Sequence, residues 1–187
     1  MLDLFSKLFR KNSVDQKPNS TEGKGITKED VYSFEQGIKL AEQRNYEAAL
    51  AKFDIAIKTG IFNEAYRERG YCLQIMKFHL DAVDDFSHAI ELFPENGNNY
   101  YGRSLSKGSL GYYDSAIEDV KKAIELSLID SKENSEINQI AIQKNIMPPT
   151  LLYKEYLEEL IRRKNINNEQ VKQIYISPPI RRNSKLA

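Results

Sequence analysis

A block of about 34 residues recurs along this chain, and this recurrence limits what the chain can fold into more than any other feature. Residues 82–92 align with residues 116–126 when the sequence is moved forward by about 34 positions. Moving it back by about 33 positions places Gly70 over Gly37 and Phe86 over Phe53. Small and large apolar residues at fixed offsets in three registers predict a repeat array, not one folded core.

The recurring residues have sizes that suit two crossing helices. Gly70 and Ala82 fall where the helices of one unit cross, and small side chains there let the backbones approach closely. Phe86 fills the space beside that contact, and Pro94 ends the second helix. The set resembles the tetratricopeptide repeat (TPR) family over roughly Asp30 to Leu128, with the matching residues Tyr66, Arg69, Gly70, Leu73, Ala82, Phe86, Ala89 and Pro94.

The resemblance implies an all-α fold, namely a right-handed superhelical solenoid of antiparallel helix pairs. We expect three clear repeats plus a degenerate closing helical pair, in which Leu152, Tyr156 and Leu160 share one face of a helix opened by Pro149. Repeat arrays need an atypical terminal element of this kind, with a polar outer face. The predicted segments are an amphipathic N-terminal segment at 1–11, a flexible linker at 12–28, repeats within 29–128 at about 30–62, 63–96 and 97–128, a divergent fourth repeat and capping helix at 129–176, and a disordered tail at 177–187.

The first helix of the third repeat has an unusual composition. Gly102 and Gly108 each cost about 1 kcal/mol relative to alanine inside a helix. Lys107 stands where an apolar residue is usual. Either the array is softest here, or a backbone or a ligand closely approaches the exposed side of this helix.

Residues 1–11 form an amphipathic basic peptide. Leu2, Phe5, Leu8 and Phe9 recur at helical spacing beside Lys7, Arg10 and Lys11. Three alternatives stay open: the segment folds back on the array, docks on a partner, or touches a membrane surface through its four apolar residues. Lipid contact by so short a helix is weak without a second anchor.

Charge and composition argue against several classes of protein. The formal net charge is zero, with basic residues interleaved with acidic ones, so we expect no nucleic-acid partner. Cys72 is the single cysteine, which excludes an internal disulfide. No apolar run approaches the roughly 18 residues that span a bilayer, and no signal-peptide core is present. We therefore predict a cytoplasmic protein, with a membrane-peripheral location as the alternative.

No pattern in the sequence predicts catalysis. His79 and His88 are the only histidines, and with Cys72 they form neither a zinc-ligand set nor a nucleophile pair. The acidic residues between 81 and 85 lie at a helix start without a ligand loop, which is typical of a solvated face. We expect no enzyme activity, no metal and no cofactor.

In the resembled family the first helix of each pair lines a concave groove that binds extended peptides or partner helices. Register by register, this implies contact residues in three helices, here Phe34, Ile38, Arg67, Tyr71, Gln74, Asn98, Tyr101 and Leu105. Such a groove suits a peptide with an apolar anchor and an acidic or carbonyl group near Arg67. The alternative is that these are ordinary solvated positions.

One subclass of the family clamps the terminal carboxylate of chaperone tails with lysine and asparagine side chains. Phe34, Ile38 and Glu68 occupy the corresponding positions here, which disfavours chaperone C-terminal tails as ligands. The resemblance implies a non-catalytic protein–protein interaction module, an adaptor or scaffold, for a protein or peptide partner. The alternative function is a membrane-peripheral assembly factor anchored by residues 1–11.

Overall fold

The computed structural model describes residues 28–58, 64–129, 139 and 147–170, so the segments predicted at 1–11 and 177–187 lie outside the described residues. Every regular element within these ranges is an α-helix, which confirms the all-α prediction. The helices are α1 (Lys28–Glu42), α2 (Tyr46–Lys58), α3 (Glu64–Ile75), α4 (His79–Leu92), α5 (Gly97–Ser109), α6 (Tyr113–Ser127) and α7 (Pro149–Gln170).

The first six helices form three pairs joined by equivalent tight turns. Arg44, Lys77 and Gly111 occupy the middle of the turns, with φ angles of 62°, 68° and 79°. In each turn the following backbone N–H returns to the preceding helix, as in the 2.9 Å bond from Phe78 to the Leu73 carbonyl. This left-handed helix ending satisfies carbonyls that a helix terminus would otherwise leave unpaired.

Phenylalanine rings on the second helices set the separation between helices. A Cβ atom added to Gly37 would lie 2.6 Å from the ring of Phe53, and one added to Gly70 would lie 3.1 Å from Phe86. The Phe86 ring also presses on Gly102 of the next unit, where a Cβ atom would overlap it. Gly102 is therefore a site of close approach, but the approaching group is an aromatic side chain of the core, whereas the sequence suggested a backbone or a ligand on the exposed side of the helix.

An arginine on α3 joins three helices. Arg69 donates Nε and Nη2 to the two carboxylate oxygens of Asp85 on α4, at 2.8 and 2.6 Å. Its Nη1 donates to Asp54 on α2 at 2.7 Å. A bidentate guanidinium–carboxylate pair is among the stronger polar contacts in proteins, so this group ties the second unit to the first.

The same group recurs in the third unit. Arg103 donates to both oxygens of Asp119, at 2.9 and 2.7 Å, and to Ser87 Oγ of the preceding unit at 3.1 Å. Lys107 adds a contact of 2.8 Å to Asp119. This pairing explains why a lysine occupies the position where an apolar residue is usual.

Helix α7 packs on the end of the array. Tyr153 and Leu160 are buried in one apolar cluster with Val120 and Ala123 of α6. Residues 130–146, where the other helix of the predicted closing pair would lie, are outside the described ranges apart from residue 139. None of the described helices is both long and apolar enough to cross a membrane.

We predict that Gly102→Ala destabilises the array by roughly 1–3 kcal/mol, because the new methyl group overlaps the Phe86 ring. This loss runs against the gain of about 1 kcal/mol that alanine gives in a free helix. The measurement is urea unfolding followed by circular dichroism. Ser109→Ala, at an exposed site in the same helix, is the control and should change stability by less than about 0.5 kcal/mol.

A double-mutant cycle identifies the cause. On a Phe86→Leu background the alanine at position 102 should cost clearly less than it does alone, since the overlapping ring is gone. An equal cost on both backgrounds would contradict the close-approach explanation.

Candidate functional site

A cavity of about 440 Å³ opens where α7 passes the third helix pair. The repeats line part of the cavity with residues from α3, from the α3–α4 turn, from the start of α4 and from the length of α5. Helix α7 lines the rest. The lining residues are Gln74, Lys77, His79, Tyr101, Leu105 and Ser109 from the repeats, with Leu152, Glu155, Tyr156 and Arg163 from α7.

The walls of the cavity are aromatic and aliphatic. The Tyr101 and Tyr156 rings meet edge to face, with centroids 5.7 Å apart, and Leu105 and Leu152 lie beside them. The Tyr156 hydroxyl donates to the Ser104 carbonyl at 3.3 Å. Burial raises the pKa of Tyr156 to about 12 and also raises the pKa of Tyr101. Both phenols are therefore neutral at physiological pH.

Tyr153 holds α7 in place beneath this wall. Its hydroxyl donates to Asn98 Oδ1 on α5 at 2.6 Å, and its ring centroid lies 4.5 Å from that of Tyr101. Burial raises the pKa of Tyr153 well above its usual value. Lys164 pairs with Asp114 farther along α7. The cavity therefore exists only while these contacts keep α7 on the third helix pair, α5 and α6.

Gln74 is the polar residue deepest in the lining, with only 5% of its surface exposed. Its Nε2 donates to the Gly102 carbonyl at 2.5 Å and to Ser106 Oγ at 2.8 Å. Because a carbonyl only accepts, this contact fixes the orientation of the amide group. Gln74 thus bridges α3 and α5 and holds the floor of the cavity rigid.

Charged side chains stand around the opening. Lys77 and Glu155 are exposed and form no ion pair within the described ranges. Arg163 donates to Glu159 at 2.7 Å on the surface of α7. Burial, followed by the charge of Lys77, lowers the pKa of His79, so its imidazole is neutral at pH 7.

The structure places three of the predicted groove residues, Gln74, Tyr101 and Leu105, together on the cavity. Asn98 lies below it as the acceptor for Tyr153. Tyr71 is half-buried, with its ring edge against Phe86 at 5.1 Å. The α5 residues and Gln74 thus form one site.

The other predicted groove residues lie apart from the cavity. Phe34 is buried against Phe53, with ring centroids 6.0 Å apart, and the half-buried Ile38 packs on the same cluster. Arg67 has 7% of its surface exposed and donates Nε and Nη2 to Glu68, at 3.3 and 3.2 Å. Its charge is therefore already matched inside the protein.

Sequence reasoning missed the cavity residues of the α3–α4 turn and α7. Leu152 and Tyr156 were placed on one apolar face of a closing helix, but no repeat register says which helix that face covers. Lys77 and His79 lie in and after a turn, outside the first helices from which groove residues were carried over. No three metal-ligating side chains come together in the part of the chain that the structure describes.

We predict that stability falls above about pH 10, because the unfolded chain then loses phenol protons that buried Tyr153 retains. A folded-state pKa above the unfolded one favours folding below the unfolded value and loses that contribution as pH rises. Each such tyrosine adds up to about 1.4 kcal/mol per pH unit to the decline.

The check is the free energy of unfolding between pH 8 and pH 11. Tyr153→Phe should start lower at pH 8, because the bond to Asn98 is lost, but decline less steeply above pH 10. Tyr112→Phe, at a half-exposed site, should follow the wild-type curve. Equal slopes for all three proteins would contradict the burial of the Tyr153 phenol.

The sequence and the fold were compared with those of known proteins. No protein-family model matches the chain. The human protein sperm-associated antigen 1 is 29% identical over 153 residues, which cover 78% of this chain and 16% of that protein. The chain therefore spans about a sixth of the length of this curated relative.

Solved structures share the helical fold of this chain over most of its length. The TPR domain of Sgt2 from Aspergillus fumigatus superimposes with a TM-score of 0.60 at 14% identity, covering 89% of this chain and 98% of that domain. The first TPR domain of Spaghetti (RPAP3), solved with an HSP90 peptide, gives a TM-score of 0.51 at 18% identity, covering 64% and 96%. The resemblance seen in the residues is confirmed in the fold, which is that of a tetratricopeptide-repeat array.

Proposed function

We propose that this chain is a non-catalytic protein-interaction module, and that the cavity between α3, α5 and α7 anchors a peptide or a partner helix. The observation that carries the proposal is an open cavity with aromatic and aliphatic walls and a charged rim. Its volume falls within the roughly 300–1,000 Å³ of ligand sites in proteins. Buried anchor side chains seated in such pockets supply much of the affinity at protein interfaces.

The walls of the cavity are held in place by hydrogen bonds, which favours a ligand whose shape matches the cavity. Gln74 links α3 to the Gly102 carbonyl, and Tyr153 fixes α7 to Asn98, so little order has to be gained when a ligand enters. The TPR domain of RPAP3, which shares the fold, was solved with a bound peptide. In our proposal Ile38 and Tyr71 extend the contact surface toward α1, while Phe34, Arg67 and Asn98 support it from beneath.

Three parts of the sequence-based interpretation stay predictions. The alternative of a membrane-peripheral assembly factor depends on residues 1–11, which lie outside the described ranges. The cytoplasmic location likewise remains a prediction, as do the segment boundaries.

We predict that Leu105→Glu abolishes partner binding, because it puts a charge on the apolar wall at a half-buried position. Leu92→Glu makes the same change at a site that is 40% exposed and outside the lining. Arg67 and Tyr101 are less suitable for this test, since both are buried and their replacement would disturb the fold.

The measurement is affinity capture from a lysate of cells that express the protein, quantified by mass spectrometry, with melting curves as the folding check. A partner held by the wild type and by Leu92→Glu, but lost by a folded Leu105→Glu protein, supports the proposal. Capture of the same proteins by all three would move the binding site elsewhere on the chain.

A further inference from the structure

The positive and negative side chains on the rim of the cavity lie at different places along its length. Lys77 lies at the middle of the α3–α4 turn, and the Lys164–Asp114 pair holds Arg163 beside the equivalent α5–α6 turn. Both cations therefore stand at one end of the cavity, the turn end, where the α3–α4 and α5–α6 turns lie. Glu155 lies about two turns of α7 away from Arg163, beside the anchor wall at Tyr156.

The turn end, which excludes Glu155, keeps a net positive charge when Lys77, Arg162, Arg163 and Glu159 are counted together. Glu159 is shared between Arg162 and Arg163, with contacts of 2.6 and 2.7 Å, which leaves one positive charge in that group. Lys77 adds a second and is unpaired among the residues that the structure describes. An incoming carboxylate would meet two unbalanced cations at this end, and an incoming ammonium group would be repelled.

From these charges we infer that the ligand is an acidic segment of another protein, with a bulky apolar residue in the cavity and a carboxylate toward Lys77 and Arg163. This inference rests on the proposed function. The axial distance from Tyr156 to Arg163 is about 10 Å along the helix. An extended peptide covers that distance in about three residues, which sets the spacing between anchor and acid.

The chain's own terminal segments have the wrong charge for this site. Residues 1–11 carry Lys7, Arg10 and Lys11 against Asp3, and residues 171–187 carry Lys172, Arg181, Arg182 and Lys185 with no acidic residue. Both segments contain apolar residues that would suit the walls. Their excess positive charge opposes the cations at the turn end, so neither terminal segment is a complementary occupant.

A random peptide library tests this inference on the full-length chain. Twelve-residue peptides are displayed between two fixed linkers, so that neither terminus is free and a terminal carboxylate cannot drive binding. The wild type should enrich a large apolar residue with Asp or Glu about three positions away. The charge-reversed variant Lys77→Glu with Arg163→Glu should keep the apolar preference and enrich Lys or Arg at the second position.

Affinities of a selected acidic peptide give the size of the effect. The charge-reversed variant should bind it roughly tenfold more weakly, since both cations at the turn end change sign. Lys58→Glu with Lys121→Glu changes net charge equally at exposed sites outside the lining and should bind within about twofold of the wild type.

The possible failures are distinguishable. Peptides with an apolar anchor but no charge preference, or a preference that the reversed variant leaves unchanged, would overturn the acidic ligand and leave the proposed function standing. Identical selections from the wild type and Leu105→Glu would overturn the proposed function as well. Competition by a synthetic peptide of residues 1–11 or 171–187 at comparable affinity would make the chain's own segment the occupant and overturn the inference.

Discussion

The contact of Phe86 with two glycines determines the spacing on which the binding region depends. Its ring fills the space beside Gly70 in its own unit and beside Gly102 in the next. The ring therefore sets the distance from α4 to both α3 and α5. At that separation Gln74 on α3 reaches the Gly102 carbonyl, and Arg103 on α5 reaches Ser87 on α4. A phenylalanine in such a buried position contributes about 3–5 kcal/mol to stability. The polar contacts between units then fix how neighbouring helix pairs are positioned around the apolar core.

Helix α7 converts the end of the array into a site. Helix α7 packs on α6 of the third pair and reaches α5 through tyrosines, whose hydroxyl groups find acceptors on α5 in Asn98 and the Ser104 carbonyl. Gly108 allows the Tyr156 hydroxyl to approach closely. The cover that α7 provides is incomplete toward the turn end, and the remaining space is the cavity. The proposed binding site is therefore a consequence of how a non-repeating helix closes a repeating structure.

Contacts within a repeat could be predicted from the sequence, whereas contacts between residues far apart in the chain could not. The helix pairs could be predicted, because the Gly70–Phe86 contact lies within one unit and recurs. The register also brought Gln74, Tyr101 and Leu105 to one site, because repeats place equivalent residues in line. The docking of α7 includes the Tyr153–Asn98 bond across 55 positions of the chain, and no periodicity encodes such a contact. Register likewise does not indicate that Arg67 is paired with its neighbour Glu68.

The proposed site requires α7 to stay docked on the third helix pair, where it packs on α6 and reaches α5 through its tyrosines. Amide hydrogen exchange along α7 measures this docking directly. We predict that amides between Leu152 and Leu160 in the wild type are protected to a degree comparable with those of α5. In Tyr153→Ala that protection should collapse, while α1 to α4 keep theirs, since the substitution removes the ring and hydroxyl contacts of α7 alone. Exchange of wild-type α7 at the rate of an unfolded chain, or unchanged protection of α7 in the variant, would contradict the account.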